Sequence, residues 1–192
     1  MKGPPRTSPR LTREAWEDAA LEAIAEGGLT ALSIEPLARR LGVTKGSFYW
    51  HFESREALLE ATLNRWEQRS TDELIDRVRG LSPREAFAVL ARVAIDEPLL
   101  GRLELVLGAA GDHGVVGPVV RRVMKRRLEL LTQIFRGLGC SPAAARRRAL
   151  LAYAAYTGLY HVLRADPTQR SQTGESLVTE WVEVLSSGVE ED

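Results

Sequence analysis

Apolar residues recur at three- and four-residue steps along most of the chain, a spacing that predicts amphipathic helices. A first helix is predicted from Leu11 to Gly27-Gly28, with one apolar face that carries Trp16, Ala19, Ala20, Ala23 and Ile24. Ser33 is an expected N-cap of a second, short helix that ends at Gly42. A third helix is predicted between Thr44 and Phe52, and a fourth from Ser54 toward Val78.

The rest of the chain is also predicted to be helical, with breaks at Gly- or Pro-containing stretches near residues 82–83, 97–98, 111–117, 137–142 and 166–174. No segment alternates apolar and polar residues with period two. The expected fold is therefore all-α, with about nine helices. A three-helix domain is predicted at residues 11–54, a larger helical bundle at 55–192, and a disordered basic arm at 1–10.

Composition and charge narrow the function classes. With 192 residues and 44% hydrophobic content, the chain can build one sizeable core beside a smaller domain. Its formal net charge is zero, so binding to a nucleic acid would depend on local charge, such as the cations at Lys2, Arg6, Arg10 and Arg13. Arginine far outnumbers lysine, which is typical of GC-rich coding and indicates a bacterial origin.

No apolar run reaches the ~20 residues needed to cross a bilayer, and the N-terminal residues lack the apolar core of a signal peptide. The cytoplasm is therefore the expected location. A single cysteine, Cys140, excludes an internal disulfide and a cysteine metal cluster. Asp112 and His113 alone do not make a metal site, and His161 is expected in a core or an interface. No cofactor and no metal are expected.

The stretch from Ser33 to Phe52 reads SIEPLARRLGVTKGSFYWHF and fits a helix-turn-helix. Ala38 is small enough for the second helix to cross closely, and Gly42 tolerates the positive φ that the turn needs. The expected inner faces carry Leu37, Leu41, Val43 and Phe48. The outward polar face of the second helix carries Thr44, Lys45, Ser47 and His51, with its N-terminal end suited to meet base edges.

Residues 11–66 resemble the DNA-binding domain of the tetracycline-repressor (TetR) family. The resemblance lies in the AA..A.A..GG end of the first helix, the LARRLGVTKGSFYWHF block and the following ESREALL. It implies that Thr44, Lys45, Gly46 and Ser47 face the major groove, and that Tyr49 and His51 hold phosphates.

Several of these roles have structural alternatives. Tyr49 could instead belong to the core, where Phe48 and Phe52 are expected. Trp50 would touch a thymine methyl group or pack under the first helix. Arg55 would bind a phosphate or stay solvated, and Ser33 would bind a phosphate or only cap its helix. Arg10 and Arg13 would enter the minor groove, lie on the backbone or belong to a disordered charged tail.

In the larger bundle, the candidate ligand-pocket residues are aromatic or flexible apolar side chains: Trp66, Phe87, Leu103, Leu107, Met124 and Tyr156. Plain core packing is the alternative for each, and few charges among them favour an apolar or aromatic ligand. The expected dimer contacts are the small residues Ala145, Ala149, Ala152 and Ala155 and the stripe Leu177, Trp181 and Leu185. The resemblance implies a homodimer built from the last two helices, whereas the alternative buries both stripes inside one subunit.

These features together predict a transcriptional regulator, most simply a repressor that a small molecule releases from a pseudo-palindromic double-stranded DNA site. The fourth helix, from Ser54 to Trp66, would act as the lever between ligand and DNA. The competing hypothesis is a helical scaffold or enzyme-like ligand-binding protein with a vestigial helix-turn-helix. Against an enzyme, the sequence shows no nucleophile–base pair, metal cluster or phosphate loop.

Overall fold

A computed structural model describes residues 11–186 and shows ten α-helices with no strand in that range. The all-α prediction is confirmed. The basic arm predicted at residues 1–10 lies outside the described residues. The chain divides into two compact units, Met1–Thr62 and Leu63–Asp192.

The first unit contains three short helices, α1 (Arg13–Gly27), α2 (Ile34–Arg40) and α3 (Lys45–Phe48), with a 3₁₀ turn at Leu29–Ala31. The Thr12 hydroxyl caps α1 by accepting a hydrogen bond from the Ala15 backbone N–H at 3.3 Å. Gly28, at φ 75°, ends α1 as predicted. Helix α3 is shorter than the sequence indicates, because a turn replaces regular helix from Tyr49 to His51.

Aromatic packing holds this unit together. The Trp16 ring meets the Phe48 ring edge-on at 5.4 Å, and the Phe48 ring stacks with that of Phe52 at 5.5 Å. Phe48 and Phe52 are 0% and 2% exposed, which confirms both as core residues. Because Phe48 is the last residue of α3 and Trp16 lies in the first turn of α1, this contact fixes α3 against the start of α1.

The predicted fourth helix comprises three consecutive elements, α4 (Arg55–Glu67), a π-helical turn (Gln68–Asp72) and α5 (Glu73–Val78). Its buried positions repeat every four residues, at 58/59, 62/63, 66/67 and 70/71. An α-helix has about 3.6 residues per turn, so side chains at a strict four-residue spacing move gradually around the helix axis. The wider π turn corrects this drift and keeps Ser70 and Thr71 on the buried side.

The remaining helices of the second unit begin and end close to the predicted breaks. They are α6 (Pro83–Asp96), α7 (Pro98–Ala109), α8 (Val116–Gly137), α9 (Pro142–Ala165) and α10 (Glu175–Ser186), with a 3₁₀ turn at Pro167–Gln172. Ser82 and Glu85 form a reciprocal capping box at the start of α6. Helix α9 packs on α7 and α8, and α10 packs on α6.

The core of the second unit centres on Phe87 and Phe135, whose rings lie 5.2 Å apart. Buried alanines of α9 face this core and let α8 approach closely. None of the helices in residues 11–186 combines the length and apolarity needed to cross a membrane.

Candidate DNA-binding surface and ligand cavity

The turn between α2 and α3 has the geometry that the sequence predicts for a helix-turn-helix. Gly42 adopts φ +67°, a left-handed conformation that side chains other than glycine adopt at a cost. The Val43 backbone N–H donates to the Ala38 carbonyl at 2.9 Å, and Ala38 is only 3% exposed. The small side chain of Ala38 therefore lies where the two helices cross.

The predicted DNA-contact residues are mostly on the surface of this unit. Tyr49 is 56% exposed and Trp50 is 87% exposed, so neither is a core residue and Trp50 does not pack under α1. The other residues divide into two groups by burial. Thr44, Lys45, Gly46 and Arg55 are exposed, whereas Ser33, Ser47 and His51 are half-buried.

Lys45 pairs with an acid of the preceding helix. Its Nζ donates to Glu35 Oε1 at 2.9 Å, and both side chains are more than half exposed, at 53% and 68%. This hydrogen bond raises the pKa of Lys45 and lowers the pKa of Glu35. Because both partners are exposed to water, this ion pair contributes little free energy. A DNA phosphate would therefore readily replace Glu35 as the partner of the Lys45 ammonium group.

Ser33 and Arg55, predicted to hold phosphates, and Thr44, predicted to face the major groove, occupy different environments. Ser33 and Thr44 stand at the N-cap positions of α2 and α3, yet neither side chain makes a cap hydrogen bond. The Arg55 guanidinium donates to the carbonyls of Leu32 and Leu29 at 2.6 and 2.8 Å. Arg55 is therefore not simply solvated. Its hydrogen bonds tie the start of α4 to the segment between α1 and α2.

Arg13 has a positioning role that the sequence did not reveal. Its guanidinium donates to Glu17 Oε1 at 3.1 Å and to the His51 carbonyl at 3.0 Å, and it lies 4.4 Å from the centre of the Phe52 ring. These contacts hold the turn after α3 against α1. The i, i+4 spacing of Arg13 and Glu17 was the available signal.

The second unit contains a partly open cavity of about 90 Å³, lined mainly by the π-helical turn, α5, α6, α8 and α9, with one residue each from α7 and α10. Of the six predicted pocket residues, Phe87 and Tyr156 line it. Leu103 and Leu107 are fully packed in the core, and Trp66 is also buried without lining the cavity. Met124 is 39% exposed on α8, so the structure places it outside this cavity.

One part of the cavity wall carries a buried ion pair that was not predicted from the sequence. Arg127 Nη1 donates to Glu104 Oε2 at 2.7 Å, and the two side chains are 13% and 6% exposed. Arg127 also donates to Thr71 Oγ1 at 3.1 Å and to the Ser70 carbonyl at 3.0 Å. The Tyr153 hydroxyl donates to the same carboxylate, that of Glu104.

Burial has the largest influence on the pKa values of Arg127, Tyr153 and Tyr156. Burial opposes the charged form of Arg127, but the Glu104 carboxylate holds its pKa above the ordinary value for arginine. Burial first, and the nearby Glu104 charge second, raise the pKa of Tyr153. Burial likewise raises the pKa of Tyr156. Both phenols therefore remain protonated hydrogen-bond donors at neutral pH.

Glu104 lies between Leu103 and Leu105 in the largely apolar stretch LLGRLELVL, and this acid among leucines was the sequence signal for the buried pair. An acid on the apolar face of a helix needs a buried partner. The sequence could not identify Arg127 as that partner, because α8 offers several arginines at helical spacing.

The structure corrects the prediction of a dimer contact for three alanines of α9. Ala145, Ala149 and Ala152 are 0%, 1% and 3% exposed because they pack against their own subunit, so they have no surface to offer a second chain. Of the half-buried stripe on α10, Trp181 and Leu185 pack on the same core, and Leu177 keeps part of its surface exposed. Ala155 is exposed, next to an apolar face of α9 that carries Leu150, Leu151 and Val162 at 58%, 59% and 52% exposure.

Comparison with known proteins finds a family match within the first unit. Residues 18–62 match the family described as bacterial regulatory proteins, tetR family. The chain is 44% identical over 52 residues to the tetracycline repressor protein class D of Escherichia coli. These 52 residues are 27% of this chain and 24% of that protein. The chain thus matches about a quarter of this relative's length.

Solved structures extend the likeness to the whole fold. A TetR transcriptional regulator from Legionella pneumophila has a TM-score of 0.76 at 15% identity, covering 94% of this chain and 98% of its own. The transcriptional regulator FadR from Bacillus subtilis, in complex with stearoyl-CoA, has a TM-score of 0.66 at 19% identity, covering 93% and 100%. Residues 18–62 thus match the TetR family of bacterial regulatory proteins, and beyond them the likeness to the solved structures is one of fold.

Proposed function

We propose that the chain is a transcriptional regulator, most simply a repressor, that a small molecule releases from a pseudo-palindromic DNA site. One observation carries the proposal: the polar residues at the start of α3 are exposed on a helix-turn-helix of the TetR family. A chain that works on DNA in a bacterial cell would act in the cytoplasm.

DNA reading is assigned to α3 and the turn that follows it. Thr44, Lys45, Gly46 and Ser47 would enter the major groove, where side chains distinguish base edges. A Cβ at Gly46 would lie 3.7 Å from Thr44 Oγ1, so glycine leaves this end of α3 open to the DNA backbone. Tyr49 and His51 would contact phosphates on either side of the groove.

The combined change Lys45→Ala and Tyr49→Ala tests this assignment. DNA selected by the parent protein from a random pool should bind the variant at least about tenfold more weakly. Because Lys45 carries the groove-facing positive charge, the slope of log affinity against log salt should fall by about one. Fluorescence anisotropy over a range of salt concentrations gives both numbers.

Lys125→Ala is the control for this variant, since Lys125 is exposed on α8 in the other unit. It should bind the selected DNA as the parent does. Circular dichroism checks that both variants are folded. If the double variant keeps the parent's affinity and salt slope, these residues do not contact the DNA. A scaffold or enzyme-like protein with a vestigial helix-turn-helix predicts no preference between selected and scrambled DNA at any salt concentration.

A homodimer would present two copies of α3 to a two-fold symmetric DNA site. The exposed apolar face of α9 offers the surface for it, because Leu150 and Leu151 are each more than half exposed. An apolar stripe of this kind on a long helix suits pairing with its copy across a two-fold axis.

Leu151→Glu should convert the dimer to a monomer, because the change places one carboxylate from each copy in an apolar contact. Sedimentation velocity at micromolar protein concentration measures the change in mass. Ala109→Glu, at an exposed position of α7, should leave the dimer intact. A wild-type protein that sediments as a monomer, or a dimeric Leu151→Glu variant, would contradict this interface.

Contacts within the second unit offer a route from the cavity to α4. Glu67, the last residue of α4, accepts hydrogen bonds from Arg122 and Arg126 of α8, and Arg126 also pairs with Asp72 at 2.5 Å. Arg127, the next residue of α8, lines the cavity. A ligand that shifts α8 would therefore also shift the end of α4, whose first residue, Arg55, belongs to the DNA-binding unit.

A further inference from the structure

We propose that the cavity binds a compact, uncharged molecule with an apolar body and one hydrogen-bond-accepting oxygen, such as an aryl ketone. This ligand class deepens the function proposed above and depends on it for its regulatory meaning. Three features of the second unit support the assignment: the apolar walls, the internal neutralisation of the buried charges, and a set of polar side chains without partners.

The walls are mainly aliphatic and aromatic. They include Leu74, Ile75, Phe87, Leu90, Leu100, Leu130 and Leu131. A cavity of about 90 Å³ is several times larger than the ~10–15 Å³ that one water molecule needs by the same measure. It therefore has room for a single ring with a short substituent rather than for a long chain. An apolar body gains free energy by leaving water for this site.

The charges in the wall are neutralised within the protein. Arg127 lines the cavity, and its charge is met by Glu104 at 2.7 Å. An anionic ligand would lose its hydration and would find an arginine that is already paired. A cationic ligand would lose its hydration and face the Arg127 charge. An uncharged ligand avoids both penalties.

Two polar groups on the wall lack a partner. Ser70 is 1% exposed, and neither its hydroxyl nor the Trp181 indole N–H has a hydrogen-bond partner in the described chain. The Tyr156 phenol, whose pKa is raised by burial, lines the same cavity as a protonated donor. Buried donors are nearly always satisfied, so two unpaired ones around one cavity indicate an acceptor that is supplied from outside the chain.

Four probes that share one benzene ring separate the possible ligand classes. Acetophenone carries a carbonyl, ethylbenzene carries no polar group, benzoate is an anion, and phenyltrimethylammonium is a cation. Calorimetry and thermal melting of the full chain measure their binding. Acetophenone should bind about fivefold more tightly than ethylbenzene, the difference that one hydrogen bond makes. Neither ion should bind where acetophenone saturates.

A variant that combines Ser70→Ala, Tyr156→Phe and Trp181→Phe removes the three donors and keeps the apolar walls. Its preference for acetophenone over ethylbenzene should fall to about one, whereas its affinity for ethylbenzene should stay within about twofold of the parent's. Ethylbenzene binding thus reports whether the variant cavity is intact. Ser176→Ala, at an exposed position of α10, should keep the preference.

Three results would overturn the assignment: tighter binding of benzoate or phenyltrimethylammonium than of acetophenone, an unchanged preference in the combined variant, or no melting shift with any probe. Binding to the selected DNA is measured separately, without probes. If the protein does not distinguish selected from scrambled DNA, the proposed function is contradicted, but the conclusion about which probes bind the cavity is unaffected. DNA specificity without probe binding would contradict only the ligand class.

Discussion

Arg127→Met should lower the free energy of unfolding by about 3–5 kcal/mol. The change removes the cation that lies 2.7 Å from Glu104 and leaves a carboxylate that is 6% exposed without its charge partner. It also removes the hydrogen bonds to Thr71 Oγ1 and to the Ser70 carbonyl. Chemical denaturation followed by circular dichroism measures the loss.

Two further variants identify the cause of that loss. Lys125→Met, on the same helix, replaces a side chain that is 76% exposed and 3.9 Å from Glu129, so it should change stability by no more than about 0.5 kcal/mol. Adding Glu104→Leu to Arg127→Met removes the orphaned carboxylate and should recover most of the stability. A single variant as stable as the parent would show that the pair is not buried in solution.

Gly101→Ala should also destabilise the second unit, by about 3 kcal/mol. A Cβ at this position of α7 would lie 1.8 Å from Cζ of Tyr160, well inside contact distance. The Tyr160 ring cannot simply move away, because its hydroxyl donates to the Ala94 carbonyl at 2.5 Å and the ring packs edge-on against Tyr156 at 5.6 Å. Denaturation curves recorded at two wavelengths measure the effect.

Gly108→Ala is the matched control, because a Cβ at Gly108 in the same helix would meet nothing within 4 Å. Alanine is the better helix former, so this variant should be more stable than the parent by about 0.5–1 kcal/mol. Equal effects of the two substitutions would mean that Tyr160 does not pack on Gly101.

The helix-turn-helix could be predicted from the sequence because its determinants are local. Ala38, Gly42 and Phe48 lie within a few residues of one another and fix the turn and its packing. The length of α3 could not be predicted, because the spacing that favours helix through Phe52 is equally compatible with the turn at Tyr49–His51. The start of α6 was predicted because Ser82 and Pro83 are strong local signals.

The cavity could be predicted only in part, because its wall is assembled from residues far apart in the chain. Aromatic character identified Phe87 and Tyr156. Helical periodicity marks a position as buried but does not say whether it faces a cavity or solid core, as Leu103 and Leu107 show. The same ambiguity produced the error at Ala149, where a small residue serves packing inside the subunit.

The central claim is that the exposed surface of α3 and its following turn contacts duplex DNA, and Trp50 can report this directly. Trp50 is 87% exposed, whereas Trp16 and Trp66 are 0% and 1% exposed. Acrylamide quenching of tryptophan fluorescence should therefore decrease when selected DNA is added. Scrambled DNA at high salt should leave it unchanged, and Trp50→Phe should remove the effect. Selected DNA that binds with no change in the quenching of Trp50 would contradict the account.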